Sequence, residues 1–150
     1  MNIKRLISLC CAMMLVFSLT IPVFAEEQQI LISQEITELS DGIVLIDELY
    51  ETMIARTATK EYTRRKTIKS NGTTIGIIAI KGKFSYDGTK VSVVSKSVTQ
   101  TDTYNGWNYK QNSFTSSGGT IILDAKLTKL LIPSVAFTIT MTCDKNGNVT

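Results

Sequence analysis

Residues 71–88 read NGTTIGIIAIKGKFSYDG, an isoleucine-rich run held between two tight-turn signals. Asn71-Gly72 and Asp87-Gly88 both tolerate the positive φ that a two-residue hairpin turn demands. The run between them is too rich in β-branched residues, and too interrupted by glycine, to read as a helix. Its parity changes midway. Ile75 and Ile77 share one phase, while Ile78, Ile80, Phe84 and Tyr86 share the other. The slip predicts a bulge, or a strand passing between two sheets, with Gly76 or Gly82 as the permissive point.

The same alternation of strand and turn extends in both directions. Upstream, Asp41-Gly42 precedes a strand from Ile43 to about Tyr50, residues 51–59 form a connection, and Tyr62–Ser70 reads as a strand with an exposed, basic face. Downstream, Val91–Thr101 is rich in Val, Ser and Thr, and Tyr104–Tyr109 turns into a short aromatic strand. Ser116–Gly119 is a loop. Thr120–Leu131 then alternates in part and is closed by Pro133. Val135, Phe137, Ile139 and Met141 alternate with Ala136, Thr138, Thr140 and Thr142, the cleanest half-buried strand in the chain. Short strands joined by Gly, Asn and Asp turns predict an all-β, antiparallel two-sheet sandwich, immunoglobulin-like, of about seven strands.

The N-terminus has a different character. Lys4 and Arg5 precede the apolar run Leu6–Leu19, Pro22 breaks it, and Val23-Phe24-Ala25 supplies the small residues of a peptidase site. This predicts a signal-peptide helix over residues 1–25, cleaved between Ala25 and Glu26, and a protein that is secreted. A retained anchor needs about 20 apolar residues, which the run approaches only if Pro22 is counted in. Cys10 and Cys11 leave with the signal, so only Cys143 stays and no intramolecular disulfide can form. Residues 26–40 read as an acidic, weakly ordered arm, and residues 41–150 as the sandwich domain.

Charge is distributed unevenly. Residues 26–55 hold eight acids and no base, whereas residues 56–150 hold 14 bases and five acids. The acidic segment is a solvated leader or lies across the basic body; an exposed basic body would suit anionic wall polymers or lipid.

The chain contains no histidine. The usual general base and the commonest zinc ligand are thereby removed, and triads built on histidine are excluded. Paired carboxylates could still act on glycosides, yet three of the acids after residue 61 (Asp87, Asp102 and Asp144) sit at turns. Asp144-Lys145-Asn146-Gly147-Asn148 misplaces its glycine for a calcium loop and reads as a turn. No enzyme, cofactor or metal is expected. Tyr104, Trp107 and Tyr109 are the candidate ligand-binding residues, because exposed aromatic rings stack on sugars. The competing expectation is that Trp107 fills the core.

Several of these segments together resemble a known group. Asp41-Gly42, Asn71-Gly72, Phe84-Ser85-Tyr86-Asp87-Gly88-Thr89, Gly106-Trp107 and Thr138–Asn148 are similar to small secreted proteins of Gram-positive Firmicutes that form a domain-of-unknown-function family. The resemblance implies a bacterial, exported β domain and transfers no active site. The functional expectation is a secreted, non-enzymatic binding protein associated with the cell wall, with glycan or another anionic polymer as partner. Export argues against nucleic acid, and membrane contact would be confined to the uncleaved signal peptide. The alternative is a membrane-active effector whose basic β domain is masked by its acidic N-terminal segment.

Overall fold

The computed structural model describes residues 28–53 and 59–150. The signal segment, with its Ala25–Glu26 cleavage point, and most of the predicted 51–59 connection lie outside the described residues.

Eight strands form two antiparallel sheets. The large sheet holds β1 (Gln29–Glu38), β2 (Ile43–Thr52), β3 (Thr59–Ser70), β4 (Thr73–Tyr86) and β5 (Val91–Thr103) in that spatial order. The small sheet holds β6 (Asn108–Ser117), β7 (Thr120–Lys129) and β8 (Ile132–Thr142), also in order. The predicted two-sheet sandwich is therefore what forms, with one strand more than expected. Its connectivity is not that of an immunoglobulin domain, whose Greek-key connections return strands to distant neighbours. Each sheet here is a plain meander, because tight turns such as Asn71-Gly72 can only join adjacent strands. The chain passes between sheets at the β5–β6 corner. There Tyr104 N–H donates to the Ile75 carbonyl at 3.1 Å, and Trp107 N–H to the Tyr104 carbonyl at 3.1 Å.

The parity slip in residues 73–86 is a bulge. Ile68 pairs with Gly76 and Lys69 with Thr74, which leaves Ile75 as the extra residue. β4 stays in one sheet throughout. Ile75, Ile78, Ile80 and Phe84 are all buried, and Ile77 is left partly exposed on the opposite face.

The core lies between the sheets. Ile68, Ile78, Ile80 and Phe84 from the large sheet meet Ile121, Leu123, Leu127, Ile139 and Met141 from the small one, each fully or almost fully buried. Burying each such side chain stabilises the fold by about 1.5–3 kcal/mol. Two glycines of β4 permit the close approach. A Cβ on Gly82 would lie 2.5 Å from Ile121 Cδ1 and 2.8 Å from Met141 Cε, and one on Gly76 would lie 2.6 Å from Leu127 Cδ1.

Both edges of the small sheet are capped by cations from the large one. Arg64 Nη1 donates to the Thr140 carbonyl at 2.5 Å and Lys66 Nζ to the Thr138 carbonyl at 2.7 Å, on the open edge of β8. On the β6 side, Lys96 Nζ donates to the Phe114 carbonyl at 2.8 Å and sits 4.6 Å from the Phe114 ring centroid. Buried or half-buried backbone acceptors need partners, and these long basic side chains supply them.

Residues 29–38 correct the expectation of a weakly ordered arm. They form a strand on the outer edge of β2, with a bulge between Leu31 and Ser33. Every residue of β1 is exposed, so the β2 ladder holds it and the core does not. The sheet thus begins at Gln29 rather than Asp41. The described part of the acidic segment is likewise built into the sheet, with Glu35 and Glu38 on β1 and Asp47, Glu48 and Glu51 on β2. Asp47 of β2 pairs with Arg64 Nε at 2.6 Å and with Lys66 at 3.0 Å, and Glu51 pairs with Lys60 at 3.1 Å.

Candidate functional site

The three aromatic residues singled out in the sequence do not share one surface. Trp107 is 7% exposed and joins the core cluster. Tyr109, two residues on and on the same side, is half-buried; its hydroxyl donates to Gln111 Oε1 at 3.2 Å. Burial pushes the Tyr109 pKa up. Tyr104 is exposed. Phase alone places Trp107 and Tyr109 together, but the core claims that face, so no flat stacking platform results.

Trp107 nevertheless contributes to the floor of a cleft at one end of the sandwich. Three connections and one strand end surround this cleft: the Leu39–Gly42 turn before β2, the β3–β4 turn at Asn71, the β5–β6 corner, and the start of β8. It encloses about 630 Å³, within the roughly 300–1,000 Å³ usual for small-molecule sites. Ile43, Ile75, Trp107 and Val135 give it apolar walls, while Asp41, Ser70, Asn71, Asn105, Lys129 and Ser134 supply polar groups.

The polar rim is pinned by backbone. Asn71 N–H donates to the Gly42 carbonyl at 2.9 Å, tying the β3–β4 turn to the turn before β2. Gly42, at φ 69°, leaves room for the Asn71 side chain, which a Cβ there would strike. Asn71 and Asn105 themselves sit in the left-handed region, at φ 48° and 57°, where asparagine is tolerated better than most residues. Asn105 Nδ2 reaches the Thr74 carbonyl at 3.5 Å. The arrangement offers amides, hydroxyls, one carboxylate and one ammonium around an apolar base. That set can bind a polyhydroxylated or mixed-polarity ligand. It contains no pair of carboxylates for acid–base work, since Asp41 is the one acid among the described lining residues.

The other acids have local duties. Asp124 Oδ2 accepts from Ser113 Oγ at 3.1 Å and Asp124 Oδ1 from Thr138 Oγ1 at 2.7 Å, a polar row across the outer face of the small sheet. Asp87 Oδ1 takes the N–H groups of Thr89 and Lys90, which hold its pKa below the usual value. Asp144 Oδ1 accepts from the N–H groups of Asn146 and Asn148, and Oδ2 from Asn148 Nδ2, with the same lowering effect. The residue 144–148 segment is therefore a turn closed by its own aspartate. Among the described residues no three His, Cys, Asp or Glu side chains converge on a metal-sized site. Cys143 is buried, and burial, with help from Asp144, raises its thiol pKa.

A second, polar groove of about 330 Å³ runs between Asp47, Arg64 and Lys66 on one side and Thr138, Thr140, Thr142 and Thr150 on the other. Its two cations are engaged with Asp47 and the β8 carbonyls, so it reads as part of the joint between sheets. The end cleft was not legible in the sequence. Its residues come from three connections and the start of β8, and the one available signal was the Asp-Gly or Asn-Gly pair at each of those three connections, Asp41-Gly42, Asn71-Gly72 and Asn105-Gly106.

No protein-family model, curated protein or solved structure matches this chain.

Proposed function

We propose that this is an exported, non-enzymatic binding protein that takes a cell-wall glycan fragment, or a ligand of similar polarity, into the end cleft. The observation that carries the reading is the cleft itself, with apolar walls that include Trp107 and a rim of amides and hydroxyls. A sugar ring has the matching character, with apolar C–H faces and a polar edge. Trp107 exposes only a small part of its ring, so the rim donors carry most of the recognition. Secretion rests on the signal-like N-terminus, and membership in the Firmicutes family rests on the sequence resemblance.

Trp107 is the single tryptophan of the chain, so its fluorescence reports directly on the cleft. Titration with soluble wall-glycan fragments should give a saturable change in emission, and Asn71→Ala or Asn105→Ala should weaken binding by about tenfold, the equivalent of one lost hydrogen bond. Unchanged emission, together with no retention of the folded protein on purified walls, would overturn the reading.

A further inference from the structure

The turn between β7 and β8 breaks a rule that every other turn among the described residues keeps. Lys129 pairs with Ile132, which leaves Leu130 and Leu131 at the tip. Leu130 is 85% exposed, Leu131 96% and Ile132 45%. Leu131 also adopts φ 62°, in the left-handed region. A branched apolar side chain is disfavoured there, because its Cβ crowds the backbone. Elsewhere among the described residues positive φ falls only on Gly, Asn or Asp. Asn or Gly at position 131 would relieve the strain and remove the exposed apolar surface together. Keeping leucine costs the fold on both counts, and strain kept at an exposed position points to a use.

The surroundings indicate what the tip meets. Lys110 and Lys126 face each other across the β6–β7 ladder. They lie on the outer face of the small sheet, because Ala125 and Leu127 fill the inner one. Lys129 adjoins the tip. Glu38 and Asp41 lie at the same end but on the large sheet. A strand rises about 3.3 Å per residue, so Lys126 stands roughly 13 Å behind Leu130. Leucines in front and lysines a headgroup's depth behind match an anionic bilayer, with apolar groups entering the acyl boundary and ammonium groups among the phosphates.

We propose that the Leu130–Leu131 tip, backed by Lys110, Lys126 and Lys129, docks this protein onto an anionic lipid surface. The proposal is independent of the glycan reading, although the cleft opens at the same end, since Lys129 and Ile132 line it.

The test must report on the tip alone, because the apolar N-terminal segment of the full chain would itself bind lipid. Leu130→Trp supplies a local probe, and Trp107 contributes a buried background. With vesicles containing phosphatidylglycerol and brominated lipid, Leu130→Trp emission should shift to the blue and be quenched. Neither change should occur with phosphatidylcholine vesicles, and 0.5 M salt should weaken both. Adding Leu131→Gly should abolish the response while raising the thermal midpoint, an outcome that misfolding cannot produce. No response to anionic vesicles would overturn the proposal. An equal response to both vesicle types would overturn its electrostatic half, and retention of the full response by the Leu131→Gly variant would overturn the role of the tip.

Discussion

Gly82 sets how closely the two sheets approach, since its missing side chain is the space that Ile121 and Met141 occupy. The atoms that a new Cβ would meet first are the flexible ends of those chains, so alanine can be accommodated in part. Gly82→Val cannot, and should destabilise by about 1–3 kcal/mol in chemical denaturation. Tyr62 is the second telling residue. Its ring meets Phe84 edge-on with centroids 6.3 Å apart, and its hydroxyl donates to the Gly147 carbonyl at 3.1 Å. Burial, then the nearby Glu51, raises its pKa above the ordinary 10.0. The folded state therefore holds the phenol proton more tightly than the unfolded chain does. The resulting stability is complete below pH 10 and is lost as pH climbs through the folded value. Tyr62→Phe should cost about 0.5–1.5 kcal/mol at neutral pH and should flatten the decline measured as pH rises above 10. Some slope will persist, because burial also raises Tyr50 and Tyr109. At this scale the sequence was informative about packing. Strict alternation identified Phe137, Ile139 and Met141 as inward-facing, and all three are buried. It offered Gly82 only as a permissive point for the bulge, because a glycine that makes room for a neighbour looks the same as one that lets a strand bend.

Among the elements, β3 joins the two sheets. Arg64 binds Asp47 on one side and the Thr140 carbonyl on the other, with a side chain only 19% exposed. Arg64→Ala should destabilise by about 1.5–3 kcal/mol, the range for charge-assisted hydrogen bonds. Arg64→Lys should restore only part of that, because an ammonium cannot reproduce the fixed fork of a guanidinium. Equilibrium unfolding of the two variants checks the order. The sequence marked Tyr62–Ser70 as a strand with an exposed basic face, and the strand is there. The role of its bases was hidden, because it depends on where β8 lies, more than 70 residues away in the chain. β1 escaped detection for a related reason. Its apolar residues follow no clean alternation, owing to the bulge after Leu31, and what makes it a strand is the free edge of β2.

For the molecule as a whole, stability is uneven. The small sheet covers β3, β4 and β5, while β1 stands exposed along its length. Native-state hydrogen exchange should therefore find the β1 amides opening at low free energy, well before those of β4 and β7, which should approach the global value. Uniform protection across all eight strands would contradict this. The architecture was largely legible, because turn chemistry and alternation are local. The end cleft was not, because it is assembled from three connections and the start of β8, which only the closed sandwich brings together.

The plain meander has one further consequence, in the order of events during synthesis. Each pairing joins chain neighbours, so loop-closure entropy is small for an all-β protein and folding should be quick for its class. But the large sheet is complete by Thr103, before any of β6, β7 or β8 has been made. Until residues 108–142 emerge, Ile68, Ile78, Ile80 and Phe84 have nothing to cover them. A nascent chain stalled near the β5–β6 corner would hold a finished sheet with a bare apolar face, the species most exposed to capture by chaperones or by another copy of itself.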